Sequence, residues 1–191
     1  LSSSAGLELH AYENGAPDSG TIDFENGSGT SAVVAPTIVA DAFRDISVAT
    51  DLRSDAVDGL VSLTAGSGAS ATGQPDNSGG VTVAAGGSVS AAAAGGRIEL
   101  QAGVADGDLL VNGNVEAGAA ILARALNGAI TVSAPAQFIA AALAAYARDT
   151  SVLRTRVDRI VEAKVLGSSA PGAGALDVIE EDGIEIGLVQ T

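Results

Sequence analysis

Residues Gly95 to Ala134 read GGRIELQAGVADGDLLVNGNVEAGAAILARALNGAITVSA. Short runs such as Arg97-Ile98-Glu99-Leu100 and Ala129-Ile130-Thr131-Val132 alternate polar with branched apolar residues. That alternation has the period of a β-strand with one face buried. Gly, Asn and Asp separate the runs, and these are the residues that turn a chain.

Outward from this stretch the same phrase returns. Gly6-Leu7-Glu8-Leu9, Gly20-Thr21-Ile22-Asp23-Phe24, Gly59-Leu60-Val61-Ser62-Leu63 and Gly80-Val81-Thr82-Val83 precede it. Gly96, Gly107, Gly113 and Gly128 each open one inside it, and Gly183-Ile184-Glu185-Ile186 follows. Gly ahead of a strand permits a sharp turn at positive φ. A phrase repeated so often is an internal repeat. Gly59 to Gly80 and Gly107 to Gly128 are intervals of about twenty residues, the size of one coil of a β-solenoid.

Composition supports the same architecture. The 191 residues include 25 Gly, only 3% aromatics, and no Cys, Met or Trp. A core of Ala, Val, Leu and Ile lacks the large aromatic areas of an ordinary globular core. It suits regular layers, in which each inward residue sits on its counterpart one coil away. The apolar fraction of 47% argues against disorder.

The net charge of -14 excludes nucleic acid, whose phosphates require clustered Lys and Arg, and disfavours anionic membrane surfaces. The absence of Cys excludes disulfides and thiol chemistry. The longest apolar run, Phe138 to Ala147, is too short to span a bilayer, so no membrane insertion is expected. Leu1 opens the chain with neither an initiator Met nor a visible signal peptide, which reads as a fragment or a processed product.

Three segments interrupt the pattern. Ala65 to Gly80 and Gly167 to Gly174 are rich in Gly, Ser and Ala and read as excursions from the coil. Ala136 to Arg148 is Ala-rich, and its propensity admits a short helical excursion. Phe138, Ala142 and Ala145 would then share a face. The alternation of Val152-Leu153-Arg154-Thr155-Arg156-Val157 favours a strand directly after it.

Candidate chemistry is sparse. His10 is the only His. It should point away from Leu9 as a surface strand residue, which weighs against a catalytic base. Acidic residues cluster as Asp45, Asp51, Asp55 and Asp58, as Asp106 with Asp108, and as Glu180, Glu181 and Asp182. Paired carboxylates could serve glycoside hydrolysis, but the aromatic platforms usual in sugar sites are missing. A solvated face accounts for them better. Weak calcium binding stays open, since carboxylates are its natural ligands, although Gly103 to Asp108 matches a calcium-binding repeat only poorly. Gly86-Gly87 and Gly95-Gly96 precede strands and carry no phosphate-loop Lys. Arg148, Arg154, Arg156, Arg159 and Lys164 gather over half the basic residues. They form a solvated face or meet an acidic neighbouring coil or another subunit. No catalytic, cofactor-binding or metal residue is assigned.

Gly107 to Gly118, GDLLVNGNVEAG, followed by Gly128-Ala129-Ile130-Thr131-Val132, resembles the haemagglutinin repeats of filamentous-haemagglutinin-like proteins. Leu153 to Ala163 and Leu176 to Gly187 look like units of very large bacterial β-strand-repeat surface proteins, and Leu166-Gly167-Ser168-Ser169-Ala170 is similar to their coil turns. The resemblance covers most of the chain from Gly59 onward. It implies a right-handed parallel β-helix in a secreted or cell-surface adhesin shaft or fibre, with no catalytic residues. This chain departs from the family pattern at Ala136 to Arg148.

The sequence thus predicts a single all-β domain, a β-solenoid of roughly eight to ten coils and about 45 Å, that is structural or adhesive and not an enzyme. The alternative is a β-helical domain that cleaves glycans or binds them with calcium. No polar cap is evident at either end. The expected partners are neighbouring repeats or copies stacked end to end, with host or matrix glycans or proteins as ligands.

Overall fold

A computed structural model describes residues 4–12, 20–26, 32–67, 78–167 and 174–191. Those residues form a parallel β-helix, with all 18 strands joined in one continuous hydrogen-bonded sheet. The chain winds through three strand columns per coil. The first column stacks β1 (Leu7–Ala11), β4 (Thr37–Ala42), β7 (Leu60–Thr64), β10 (Arg97–Gln101) and β13 (Ala120–Ala125). It continues through the second half of β15 (Phe138–Ala147), the last third of β16 (Ser151–Val165) and β18 (Glu185–Gln190). The second column stacks β2 (Ile22–Phe24), β5 (Ile46–Val48), β8 (Val81–Val83), β11 (Leu109–Val111), β14 (Ile130–Val132), the start of β16 and β17 (Leu176–Glu180). The third stacks β3 (Ala32–Val34), β6 (Asp51–Arg53), β9 (Ser88–Ala91), β12 (Val115–Ala117), the start of β15 and the middle of β16.

Register converts this winding into ladders. Leu7, Ile38, Val61, Ile98, Ile121, Leu143, Ile160 and Ile186 lie one above another. Phe24, Val48, Val83, Val111 and Val132 form a second inward ladder, and Val33, Leu52, Val89, Val115 and Phe138 a third. Between the terminal rungs these residues are buried. The column from β1 to β18 has seven steps, about 34 Å at 4.8 Å per step. Its eight rungs are the lower end of the eight to ten coils that the sequence suggested, and the rod is shorter than the expected length. Coils range from 17 residues, Leu143 to Ile160, to 37, Val61 to Ile98. The longest one carries the excursion from Ala65 to Gly80. The greater part of that excursion, and of the one from Gly167 to Gly174, lies outside the described residues.

The helical excursion at 136–148 is not there. Phe138–Ala147 is a ten-residue strand. Helix propensity is a local preference, whereas here most of the strand pairs with the coils on either side. Phe138, Ala140, Leu143, Ala145 and Ala147 turn inward, and the alternation slips by one residue at Ala141–Ala142, where the strand rounds a corner. A second irregularity lies in β16, whose register against β15 shifts after Leu143. Val161 is the extra residue of this bulge and points to solvent, 41% exposed.

The glycines that open the strand phrases also work differently from expectation. Gly20 and Gly183 do have positive φ, but Gly96, Gly107, Gly113 and Gly128 do not. Their constraint is the close approach of the neighbouring backbone. A Cβ on Gly113 would lie 2.0 Å from the Gly87 carbonyl oxygen, and one on Gly128 would lie 2.2 Å from that of Gly107.

Candidate functional site

The fold distributes the acidic residues around its corners. Asp45 immediately precedes β5, and its Oδ1 accepts the backbone N–H of Gly80, the corner residue of the next coil, at 2.7 Å. Asp108 holds the same corner two coils later and accepts the N–H of Ala129 at 2.8 Å. Thr150 repeats the device two coils after that, its Oγ1 accepting from Ala175 N–H at 3.3 Å. Side chains on alternate coils therefore satisfy backbone donors that the corner takes out of the sheet ladder. Asp51 accepts from the Ser88 hydroxyl at 2.8 Å on a different column, and Asp55 pairs with Arg53 at 2.9 Å. Asp58 sits at a further corner with φ 55°. The four aspartates that are close in sequence thus serve separate places. Among the described residues, no group of three His, Asp or Glu side chains converges as a metal site.

His10 points outward, opposite Leu9. Its Nδ1 lies 3.3 Å from Asp41 Oδ2 on the next coil, and its ring stacks against Tyr12 with centroids 6.4 Å apart. His10 and Asp41 begin an outward ladder that continues through Thr64, Gln101, Arg124, Tyr146, Lys164 and Gln190. Toward its far end this ladder holds a network that the sequence did not reveal. Tyr146 donates its hydroxyl to Glu162 Oε2 at 2.6 Å, Lys164 pairs with Glu162 Oε1, and the Arg124 guanidinium lies 6.0 Å from the Tyr146 ring centroid. The hydrogen bond to Glu162, with burial and the carboxylate's charge adding to it, raises the Tyr146 pKa. Hydrogen bonds from Lys164 and then Tyr146 hold Glu162 below its ordinary value. Finding this network requires knowing that residues 146 and 164 are one coil apart, and that coil is shorter than the repeat interval read from the glycines.

The basic stretch runs round the outside of the coil beneath the last one. Arg154 faces Ile179, Arg159 faces Glu185, and Lys164 faces Gln190. The segment above it carries Asp177, Glu180, Glu181, Asp182 and Glu185 with no Lys or Arg. An acidic coil thus rests on a basic one, as one of the sequence readings proposed.

Two grooves open on the outer surface. One, of about 460 Å³, follows the corner of Gly80 and Asp108 and includes Thr82, Asp106 and Thr131. The other, of about 310 Å³, lies at the corner before the first column and is lined by Asp58, Leu60, Arg97 and Glu99. Fold and surface together define a parallel β-helix with an apolar interior and a polar, corner-braced exterior. Comparison with protein-family models, curated proteins and solved structures gives no match.

Proposed function

We propose that this chain is a structural or adhesive segment, a stiff β-helical rod of an exported bacterial surface protein. The observation that carries the reading is the set of inward ladders, which among the described residues stay apolar from coil to coil until Thr155 and Glu180 end the third. The corner carboxylates support it, because their oxygens bind backbone donors of adjacent coils. The secreted or cell-surface location rests on the likeness of Gly107 to Gly118 and the C-terminal repeats to haemagglutinin-like and β-strand-repeat proteins. Host or matrix glycans and proteins are the proposed ligands, and copies of the same chain, end to end, the proposed partners.

The test is to present the purified chain to arrays of matrix proteins and polysaccharides while assaying the same polysaccharides for cleavage. Retention without chain shortening is the expected result. A second reading, a glycan-cleaving β-helix, is favoured by one feature, the groove lined by Asp58, Glu99 and Arg97. Polysaccharide cleavage abolished by E99Q would establish that reading and overturn the first.

A further inference from the structure

The third inward ladder changes character at its end. Val33, Leu52, Val89, Val115 and Phe138 are followed by Thr155 and then Glu180. Thr155 is fully buried, and its hydroxyl donates to Glu180 Oε2 at 2.5 Å. The bond fixes the direction of Glu180, whose carboxylate lies on the core side of its strand and not on the outer face. The backbone N–H of Glu181 donates to the other oxygen at 3.2 Å. Arg154 and Arg156, the neighbours of Thr155, alternate to the opposite side of β16. Glu180 is half-buried, so its remaining hydrogen-bonding capacity turns to water.

The first and last described rungs present partly exposed residues in the same columns. Leu7, Leu9, Ile22 and Val33 form the first rung, and Leu176, Val178 and Ile184 belong to the last. Ile186 and Val189 on β18 are 58% and 42% exposed. The first rung of a second copy therefore offers the same kind of branched side chains that stack everywhere inside the rod. Two things oppose such docking. The sequence has no Lys or Arg before Arg44 or after Lys164, so like charges meet. And a coil laid over the third column would strip water from the Glu180 carboxylate without supplying a cation, which is costly. Inward-pointing charge is a known means of guarding a sheet edge.

We propose that Glu180 is a charge gate on end-to-end association: its carboxylate keeps the first rung of a second copy off the last rung, and replacing it with an uncharged side chain admits that copy. This rests on the reading of the chain as a β-helical rod, and it makes end-to-end pairing of copies conditional on relief of that charge. The test compares the wild-type chain with E180V, E180Q and E180D by sedimentation velocity across a concentration series, with electron cryo-microscopy of the same samples. Circular dichroism melts establish that each variant is folded. The expected result is self-association at least about tenfold tighter for E180V than for wild type, E180Q between them, and E180D like wild type, with particles lengthened along the rod axis. Folded variants that associate no more tightly than wild type, or that cluster without lengthening, would overturn the gate. Wild-type particles that are not rods would instead overturn the reading beneath it.

Discussion

The carboxylate of Asp108 binds the backbone N–H of Ala129, the residue that occupies its own corner one coil further along. The bond joins coils at a point where the sheet ladder is interrupted. D108A should lower the unfolding free energy by about 1 kcal/mol, and D108N, which keeps an oxygen acceptor, by less. Asp45, two coils before Asp108, does the same for Gly80 of its own next coil, so D45A and D108A should add to within about 0.5 kcal/mol. Urea denaturation of the two single variants and the double variant checks this.

Gly96 and Gly86 provide a contrast between two glycines that both lack positive φ. A Cβ on Gly96 would lie 1.9 Å from the Ala91 carbonyl oxygen, whereas one on Gly86 would meet nothing within 4 Å. G96A should cost about 2 kcal/mol or more, and G86A should fall within about 0.5 kcal/mol of wild type. The comparison, made by thermal denaturation, separates coil-to-coil approach from turn conformation as the reason for glycine.

Phe138 is the largest fully buried side chain, held between Val115 and Thr155 in its ladder. F138A should cost about 3–5 kcal/mol, combining lost transfer energy with the cavity left in a stack that cannot collapse along the rod axis. Equilibrium unfolding in denaturant measures it.

Tyr146 and Glu162 set the pH limits of their network from opposite sides. The Glu162 pKa is lowered in the folded chain, so its contribution to stability is present above 4.5 and is lost as pH falls through the folded value. The Tyr146 pKa is raised, so its contribution is present below 10.0 and is lost as pH rises through the folded value. The chain has only two tyrosines, which makes ultraviolet titration of phenolate direct. In E162Q the Tyr146 titration should move down toward 10.0, and in Y146F the transition that moved should be absent. An unchanged Tyr146 titration in E162Q would contradict the network.

How far the sequence reveals this structure depends on the range over which each feature acts. Gly59-Leu60-Val61-Ser62-Leu63 and Gly96-Arg97-Ile98-Glu99-Leu100 declare their strands locally, by alternation and a preceding glycine, and they become β7 and β10. Strands such as β4, after Pro36, and β5, after Asp45, have no such glycine, and their three-column arrangement depends on pairing across coils. The same reasoning explains Phe138–Ala147, where alanine favours a helix on its own and the adjoining coils impose a strand. Coil length varies too much for register to be counted from spacing. Every feature set by register was therefore hidden: the Asp45 and Asp108 corner bonds, the Tyr146–Glu162 pair and the inward turn of Glu180. The surface position of His10 was visible because it depends only on alternation with Leu9.

The most direct test of the stacked-coil architecture is a set of distances along one outward ladder. Glu8, Ala144 and Leu188 lie on the same ladder, with Ala144 five coils and Leu188 seven coils from Glu8. The chain contains no Cys, so spin labels can be attached at E8C paired with A144C or with L188C and measured by pulsed electron resonance. Stacked coils require separations near 24 Å and 34 Å, about 4.8 Å per coil whatever the number of residues between. Separations that do not rise by about 10 Å from the first pair to the second would contradict the parallel β-helix.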